Sequence, residues 1–246
     1  MTKTLILIPS RMAATRLPGK PLLKINNLSI ISHVFKRAEE ANIGEVVVAT
    51  DDQEIVKDVL KNGGKAILTN KNHKTGTDRI FEAYEKLDIK DVDYILNLQG
   101  DEPDINKDDI INLNNFMIDQ DAELGTLAAK IQDDKMLNNR NVVKVITDEK
   151  LLENNFPTAL NFTRDNLSID SQNTYHHIGI YSYKTSVLEK FVRLEQTSNE
   201  KKNKLEQLRA LDNELKINVA LAKSSSIGVD TAEDYLAIKK IMEYKI

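Results

Sequence analysis

Residues 8–22 (IPSRMAATRLPGKPL) carry three cations on one short stretch: Arg11, Arg16 and Lys20. Arg and Lys in a loop are ordinarily just solvated. Here Pro9, Pro18, Gly19 and Pro21 make the stretch stiff and shaped. Three cations on a stiff turn call for a polyanion, and a nucleoside triphosphate is the natural candidate. The turn is not a Walker A loop, because Gly19-Lys20 is followed by Pro21 with no earlier glycine in register. It also lacks the G-x-G-x-x-G of dinucleotide-binding turns. Phosphates bound here would be held more by side-chain charge than by a glycine-rich backbone.

Two carboxylates could complete such a site. In LNLQGDEP (96–103) an apolar run ends in Gln99-Gly100-Asp101, and Gly100 permits a sharp turn that projects Asp101 from a strand end. Asp, Gly and Pro are also ordinary turn residues, and Asp51 and Asp52 follow another apolar run. In GVDTAED (228–234), Asp230 or Thr231 would cap a last helix, with Glu233 or Asp234 completing a capping box. Asp101 and Asp230, far apart in sequence, could together hold one Mg²⁺, whose hard character favours carboxylate oxygens. Metal-assisted phosphoryl or nucleotidyl transfer needs that charge neutralisation.

Further polar residues suit an acidic, polyhydroxylated substrate. Arg79 lies in HKTGTDRI (73–80) at a helix start with Thr77 as the expected cap. Glu206 and Gln207 lie in KLEQLRAL (204–211), on an expected helix where solvated side chains are the default. His176 and His177 open an expected strand, so their side chains point to opposite faces and one can enter a pocket. The four histidines show no zinc-ligand spacing. Arg164 in NFTRD could pair a carboxylate bidentately.

These residues need a frame, and the apolar runs supply one. Runs at 4–8, 45–50, 65–69 and 94–99 alternate with amphipathic stretches at about 29–40, 53–61, 77–86 and 107–118. Asn62-Gly63-Gly64 ends the second of these with residues suited to a left-handed cap. Strands alternating with helices imply a Rossmann-type, doubly wound, mostly parallel sheet, with the basic turn at the carboxyl end of its first strand. Runs at 125–131, 141–147, 161–163 and 177–183 have fewer helices between them and predict mixed or antiparallel pairing. A polar helix over 200–211, a strand over 217–223 and a helix over 232–243 complete the chain. With no linker-like segment, we expect one domain over 1–246: a nucleotide-binding half over 1–120, an inserted β-rich substrate and dimerisation lobe over 121–223, and a metal-ligand turn and helix over 224–246.

Composition narrows the class. Thirty-four basic against 38 acidic residues give a net charge of −4, which disfavours nucleic-acid binding by bulk charge. The absence of cysteine excludes disulfides, thiol catalysis and thiolate-ligated metals, and fits a cytoplasmic protein. The first apolar run is too short for a signal peptide, and no run reaches the length of a membrane span.

Taken together and in order, RMAATRLPGKPL, HKTGTDRI, LQGDEP, HIGIYSY, KLEQLRAL and GVDTAED closely resemble the 3-deoxy-manno-octulosonate (KDO) cytidylyltransferase family, over essentially the whole chain. The first motif by itself indicates only the wider sugar cytidylyltransferase group, including CMP-sialate synthetases, whereas HKTGTDR, HIGIY and LEQLR together are far more specific to the KDO enzymes. The resemblance implies coupling of CTP to the anomeric hydroxyl of KDO, with release of pyrophosphate and formation of CMP-KDO for lipopolysaccharide assembly. It implies that Arg11, Arg16 and Lys20 hold the triphosphate, that Gln99 lies near the nucleotide, and that Asp101 and Asp230 bind Mg²⁺. Lys20, Asp101 and Asp230 would then be the catalytic groups. Arg79, Arg164, His177, Glu206 and Gln207 would contact the sugar acid, and the protein would be a homodimer. One region departs from the pattern: the family's Y-F-S-R and isoleucine-proline pair is here Asn161-Phe162-Thr163-Arg164 followed by DNLSID. The acceptor acid is therefore KDO, an 8-amino analogue or a related sugar acid. A non-catalytic nucleotide-binding protein on the same fold is disfavoured by the retained cations and acids.

Overall fold

The computed structural model describes residues 2–13, 16–132, 134–165, 173–224 and 228–244. In chain order the strands are β1 (Thr4–Ser10), β2 (Lys24–Ile25), β3 (Leu28–Ser29), β4 (Gly44–Thr50), β5 (Ala66–Leu68), β6 (Tyr94–Asn97), β7 (Leu124–Ala129), β8 (Lys144–Thr147), β9 (Ala159–Thr163), β10 (Thr174–Lys184) and β11 (Ile217–Leu221). The α-helices are α1 (Ile30–Ala41), α2 (Gln53–Lys61), α3 (Gly76–Leu87), α4 (Lys107–Asp119), α5 (Asp134–Asn138), α6 (Thr185–Arg193), α7 (Ser198–Asn203), α8 (Leu208–Asp212) and α9 (Ala232–Tyr244). Two compact units emerge, one of residues 1–110 with 226–246, the other of 111–225.

The first unit has the strand order β6-β1-β4-β5, all parallel. Residues Leu5 to Ile8 of β1 and Val46 to Ala49 of β4 are essentially all buried, as expected of parallel strands covered on both faces. On α1 the apolar stripe Ile30, Ile31, Val34, Phe35 and Ala38 is buried at the 3–4-residue spacing that covers a sheet. Its cap is Ser29, whose hydroxyl accepts from the Ser32 amide. Gly63 takes φ +85 after α2, ending that helix in the left-handed conformation that the Asn-Gly-Gly run suggested. The helix expected from Thr77 starts one residue earlier. Thr75 is the cap, its hydroxyl accepting from the Asp78 amide at 3.1 Å, while Thr77 is buried beneath the helix.

The second unit runs β11-β7-β10-β8-β9. β11 and β7 are parallel, and β7–β10, β10–β8 and β8–β9 are antiparallel. The mixed pairing expected from the sparse helices is present. The single polar helix expected over 200–211 is instead two, α7 and α8. Lys204 adopts φ 53 and closes α7 by donating its amide to the Glu200 carbonyl. The break lets Arg209 donate from Nε and Nη2 to the two Glu200 carboxylate oxygens at 2.9 and 2.7 Å, with both side chains buried. Helix α6 was not anticipated, although Val187, Leu188 and Phe191 carry its buried stripe.

Candidate active site

Lys20 holds the centre of a cleft in the first unit. The cleft, of about 300 Å³, is lined by Arg11, Arg16, Lys20, Arg79, Gln99, Asp101 and Asp230 among others. All seven of the site residues expected in this part of the chain therefore meet. Lys20 Nζ donates to Asp101 Oδ2 at 2.7 Å and to Asp230 Oδ1 at 3.3 Å. Arg16 Nη2 lies 2.9 Å from Asp230 Oδ2.

Local chemistry explains how these groups are aimed. After β1 the chain turns at Gly19, whose φ of 71 only glycine adopts cheaply, into a short 3₁₀ turn (Lys20–Leu22) with Pro21 buried. Leu17 and Leu23 pack on a cluster of Ile25, Ile30, Val229, Ile238 and Met242. The basic turn is thus anchored by its apolar residues, leaving its charges to the cleft. Asp101 follows Gly100, where an added Cβ would sit 2.8 Å from the Pro9 carbonyl oxygen and 3.1 Å from Ile31. Only glycine permits that close approach to β1. The Val229 amide donates to the Asp101 carbonyl at 2.9 Å, tying the two acidic turns together.

The competing claims on Asp230 are resolved by its neighbours. Asp234 Oδ2 accepts from the Asp230 and Thr231 amides at 3.2 and 2.9 Å, and Thr231 Oγ1 accepts from the Asp234 amide at 3.2 Å. Thr231 and Asp234 form the capping box, so the Asp230 carboxylate is released toward Lys20 and Arg16. Helix α9 is itself anchored: the Tyr235 hydroxyl donates to the Lys24 carbonyl at 2.7 Å, and Ile238 and Met242 are buried.

Arg79 is buried at the cleft wall. Its guanidinium donates to Thr69 Oγ1 at 2.6 Å, the Asn70 carbonyl at 3.3 Å and Asp51 Oδ2 at 3.0 Å. Asp52 caps α2 through the Glu54 amide. The cleft rim at His73–Gly76 is held by Glu82, a residue that motif reading passed over. Its carboxylate accepts from the Asn70 amide at 2.8 Å, bonds the His73 ring and pairs with Lys86 at 2.6 Å. Burial raises the Glu82 pKa, but the hydrogen bonds from Lys86, His73 and Asn70 outweigh it and bring the value to about 2.

The remaining expected residues lie in the second unit. His177 is buried, its Nε2 3.1 Å from Thr126 Oγ1 and its ring edge-on to Phe162 at 5.1 Å. Burial lowers its pKa to about 3, helped by the charges of His176 and Arg164. Tyr181 stands 5.5 Å from the His177 ring; burial, with Tyr183 and Glu206 nearby, pushes its phenol well up. His177, Tyr181, Arg164 and Glu206 are thus within electrostatic reach of one another in a chain. Arg164 Nη1 donates to the Arg140 and Asn141 carbonyls at 3.3 and 3.2 Å. Gln207 is buried at the start of α8, and Glu206 lies 3.9 Å from Arg209. Most of the variant DNLSID segment after Arg164 lies outside the described residues.

Two carboxylates converging on one cationic point are a suitable donor set for a hard divalent cation. Among the described residues no group of three or more potential ligands forms, so water and phosphate oxygens would have to complete the shell. Also among the described residues, no helix is long and apolar enough to cross a membrane.

The cytidylyltransferase family profile matches residues 5–217. The 3-deoxy-manno-octulosonate cytidylyltransferase of Rhodopseudomonas palustris BisB18 is 45% identical over 99% of both chains, and that of Afipia carboxidovorans is 44% identical over 97% of this chain and 96% of its own. A solved CMP:2-keto-3-deoxy-manno-octonic acid synthetase complexed with CTP superposes over the whole of both chains with a TM-score of 0.90 at 33% identity. A UDP-glucose pyrophosphorylase with TM-score 0.73 and 14% identity shares the fold alone. The α/β nucleotide-diphospho-sugar transferase fold, its mostly parallel mixed sheet and its full-length relatives agree: the chain belongs to the 3-deoxy-manno-octulosonate cytidylyltransferase family.

Proposed function

We propose that this chain couples CTP to the anomeric hydroxyl of KDO, giving CMP-KDO and pyrophosphate, as the names of its full-length relatives describe for those proteins. The observation that carries the reading is Lys20, held between Asp101 and Asp230 in a cleft lined by further cations. Such a cluster suits a triphosphate with its divalent cation.

In this reading Arg11, Arg16 and Lys20 bind the triphosphate, and Gln99 lines the nucleotide end of the cleft. Asp101 and Asp230 hold Mg²⁺, which when bound neutralises phosphate charge and polarises the phosphorus. Arrival of phosphate gives the Lys20 ammonium a new partner and releases carboxylate oxygens. The 2-hydroxyl oxygen of KDO forms a bond to the α-phosphorus while its proton passes to solvent water. The bond to the bridging oxygen of the β-phosphate breaks, and pyrophosphate leaves with the electron pair. Lys20 and Arg16 stabilise the charge gathering there, by preorganised donors rather than covalent chemistry. Arg164, His177, Glu206 and Gln207 contact the sugar acid. His177, with a pKa near 3, does so as a neutral ring. Arg79 acts from the cleft wall, its guanidinium bracing Asp51 and Thr69 while its edge faces substrate. The first 120 residues serve as nucleotide-binding half, residues 121–223 as substrate and dimerisation lobe, and 224–246 as metal-ligand turn and helix. The protein works as a cytoplasmic homodimer supplying lipopolysaccharide assembly.

A pyrophosphate-release assay with CTP, Mg²⁺ and a panel of sugar acids tests this. Release with KDO is expected, with EDTA abolishing it. The departure at residues 165–170 leaves a related sugar acid such as 8-amino-KDO as the second candidate, and release with that acid but not with KDO would establish it. Light scattering at twice the protomer mass is expected for the dimer.

A further inference from the structure

Lys144 is the largest fully buried side chain of the protein's described residues, with no exposed surface. It opens β8, the middle strand of the β9-β8-β10 ladder, paired with Thr163 on one side and His176 on the other. Its ammonium donates to the Asn139 carbonyl at 3.0 Å and the Arg164 carbonyl at 3.4 Å. Among the described residues no carboxylate pairs with it. Asp165 attracts it only at a distance and is itself bonded to Arg140 at 3.1 Å. Burial lowers its pKa, and Arg164 and Arg140 lower it further.

An ammonium buried against carbonyls without a counter-charge costs stability. Arg209, the other deeply buried cation of this unit, has Glu200 to offset that cost. Lys144 instead stitches two segments. It grips the main chain of Arg164 from below, while the Arg164 guanidinium donates back to the Arg140 and Asn141 carbonyls. The segments 139–141 and 164–165 are thereby locked around one guanidinium, in a locality carrying Lys144, Arg140 and Arg164 against Asp165. Such a locality suits an arriving carboxylate.

We propose that Lys144 is a positioning residue for the sugar-acid substrate, acting through Arg164 by holding its main-chain carbonyl from the buried side of β8. The proposal rests on the reading that Arg164 contacts the sugar acid. It makes a paired prediction that a merely structural lysine would not meet. Lys144→Met removes a buried charge that has no carboxylate partner among the described residues, at similar volume, so the melting temperature is unchanged or rises. At the same time KM for KDO rises about tenfold, with kcat and KM for CTP changed less than about threefold, the pattern of lost substrate binding. Lys144→Gln, which keeps an N–H donor without the charge, recovers part of the KM and serves also if the methionine variant does not fold. An unchanged KM for KDO in the folded variants, or an equal rise for CTP, overturns the proposal. Arg164→Ala separates the two levels. If it leaves KM for KDO unchanged, the sugar-site reading fails and the proposal with it. If it raises that KM while the Lys144 variants do not, only the role of Lys144 fails.

Discussion

Two ion-pair clusters in this protein use the same chemistry for opposite ends. In the second unit Arg209 and Glu200 are 3% and 4% exposed and joined by two hydrogen bonds, with the guanidinium 4.7 Å from the Phe191 ring centre. In the first unit Arg16 and Asp230 are 60% and 48% exposed and share Asp230 with Lys20. The first pair is enclosed, its remaining contacts being with protein groups such as Gln196 and Glu206. The second is open, with more cations than its two acids can neutralise once Arg11 is counted. Burial decides whether an ion pair is scaffold or machinery, because the desolvation that makes a buried pair costly to break also keeps ligands from replacing it.

Four measurements test that contrast. Glu200→Ala leaves the buried Arg209 with Glu206, 3.9 Å away, as counter-charge and should cost about 3–5 kcal/mol of stability, read as a large fall in the urea midpoint. A variant that unfolds like the parent would place this pair with the exchangeable ones. Lys20→Met should instead leave the unfolding midpoint nearly in place and lower kcat/KM by roughly 10²–10³-fold, as expected when one charge-stabilising donor is lost. Asp101→Ala should act in the same direction, and undiminished activity there would remove the metal assignment.

The third measurement is pH-dependent. His177 in the folded protein titrates near 3, whereas an unfolded histidine titrates near 6.5. Between these values the unfolded chain binds more protons, so stability is complete above about pH 6.5 and falls by up to roughly 1.4 kcal/mol per pH unit below it, down to about pH 3. His177→Gln should flatten that fall, and an unchanged acid limb would show that the ring is not buried neutral. The smallest effect belongs to Arg16. Its exposed bridge to Asp230 should contribute no more than about 1 kcal/mol, so Arg16→Ala should leave stability within error while raising KM for CTP, increasingly so at low salt.

The elements of the first unit were legible because local pattern and burial coincide there. The apolar stripe of α1 and the continuous apolar run of β1 can each mean only one thing. The second unit was less legible. A polar stretch with helical propensity over 200–211 reads as one helix, yet a left-handed Lys204 and the pull of Glu200 on Arg209 divide it. That is a tertiary contact overriding propensity. Glu82 and Lys144 carry no recognisable sequence signal for a related reason. Neither belongs to a chemical motif, and their roles lie in what they hold: the His73–Gly76 rim in one instance, the Arg164 carbonyl in the other.

Residue types and spacing sufficed for the class of chemistry: stiff cations after a first strand, an acid after a glycine turn, a second acid before a last helix. They could not decide whether Asp230 caps α9 or faces the cleft, since either use is locally satisfactory. That choice belongs to the folded chain. Thr231 and Asp234 satisfy the helix terminus, Val229 bonds the Asp101 carbonyl, and α9 is pinned to the β2–β3 hairpin. Lys20 and Asp230 stand 210 positions apart. A contact over that separation is set by topology and packing, which no local propensity encodes.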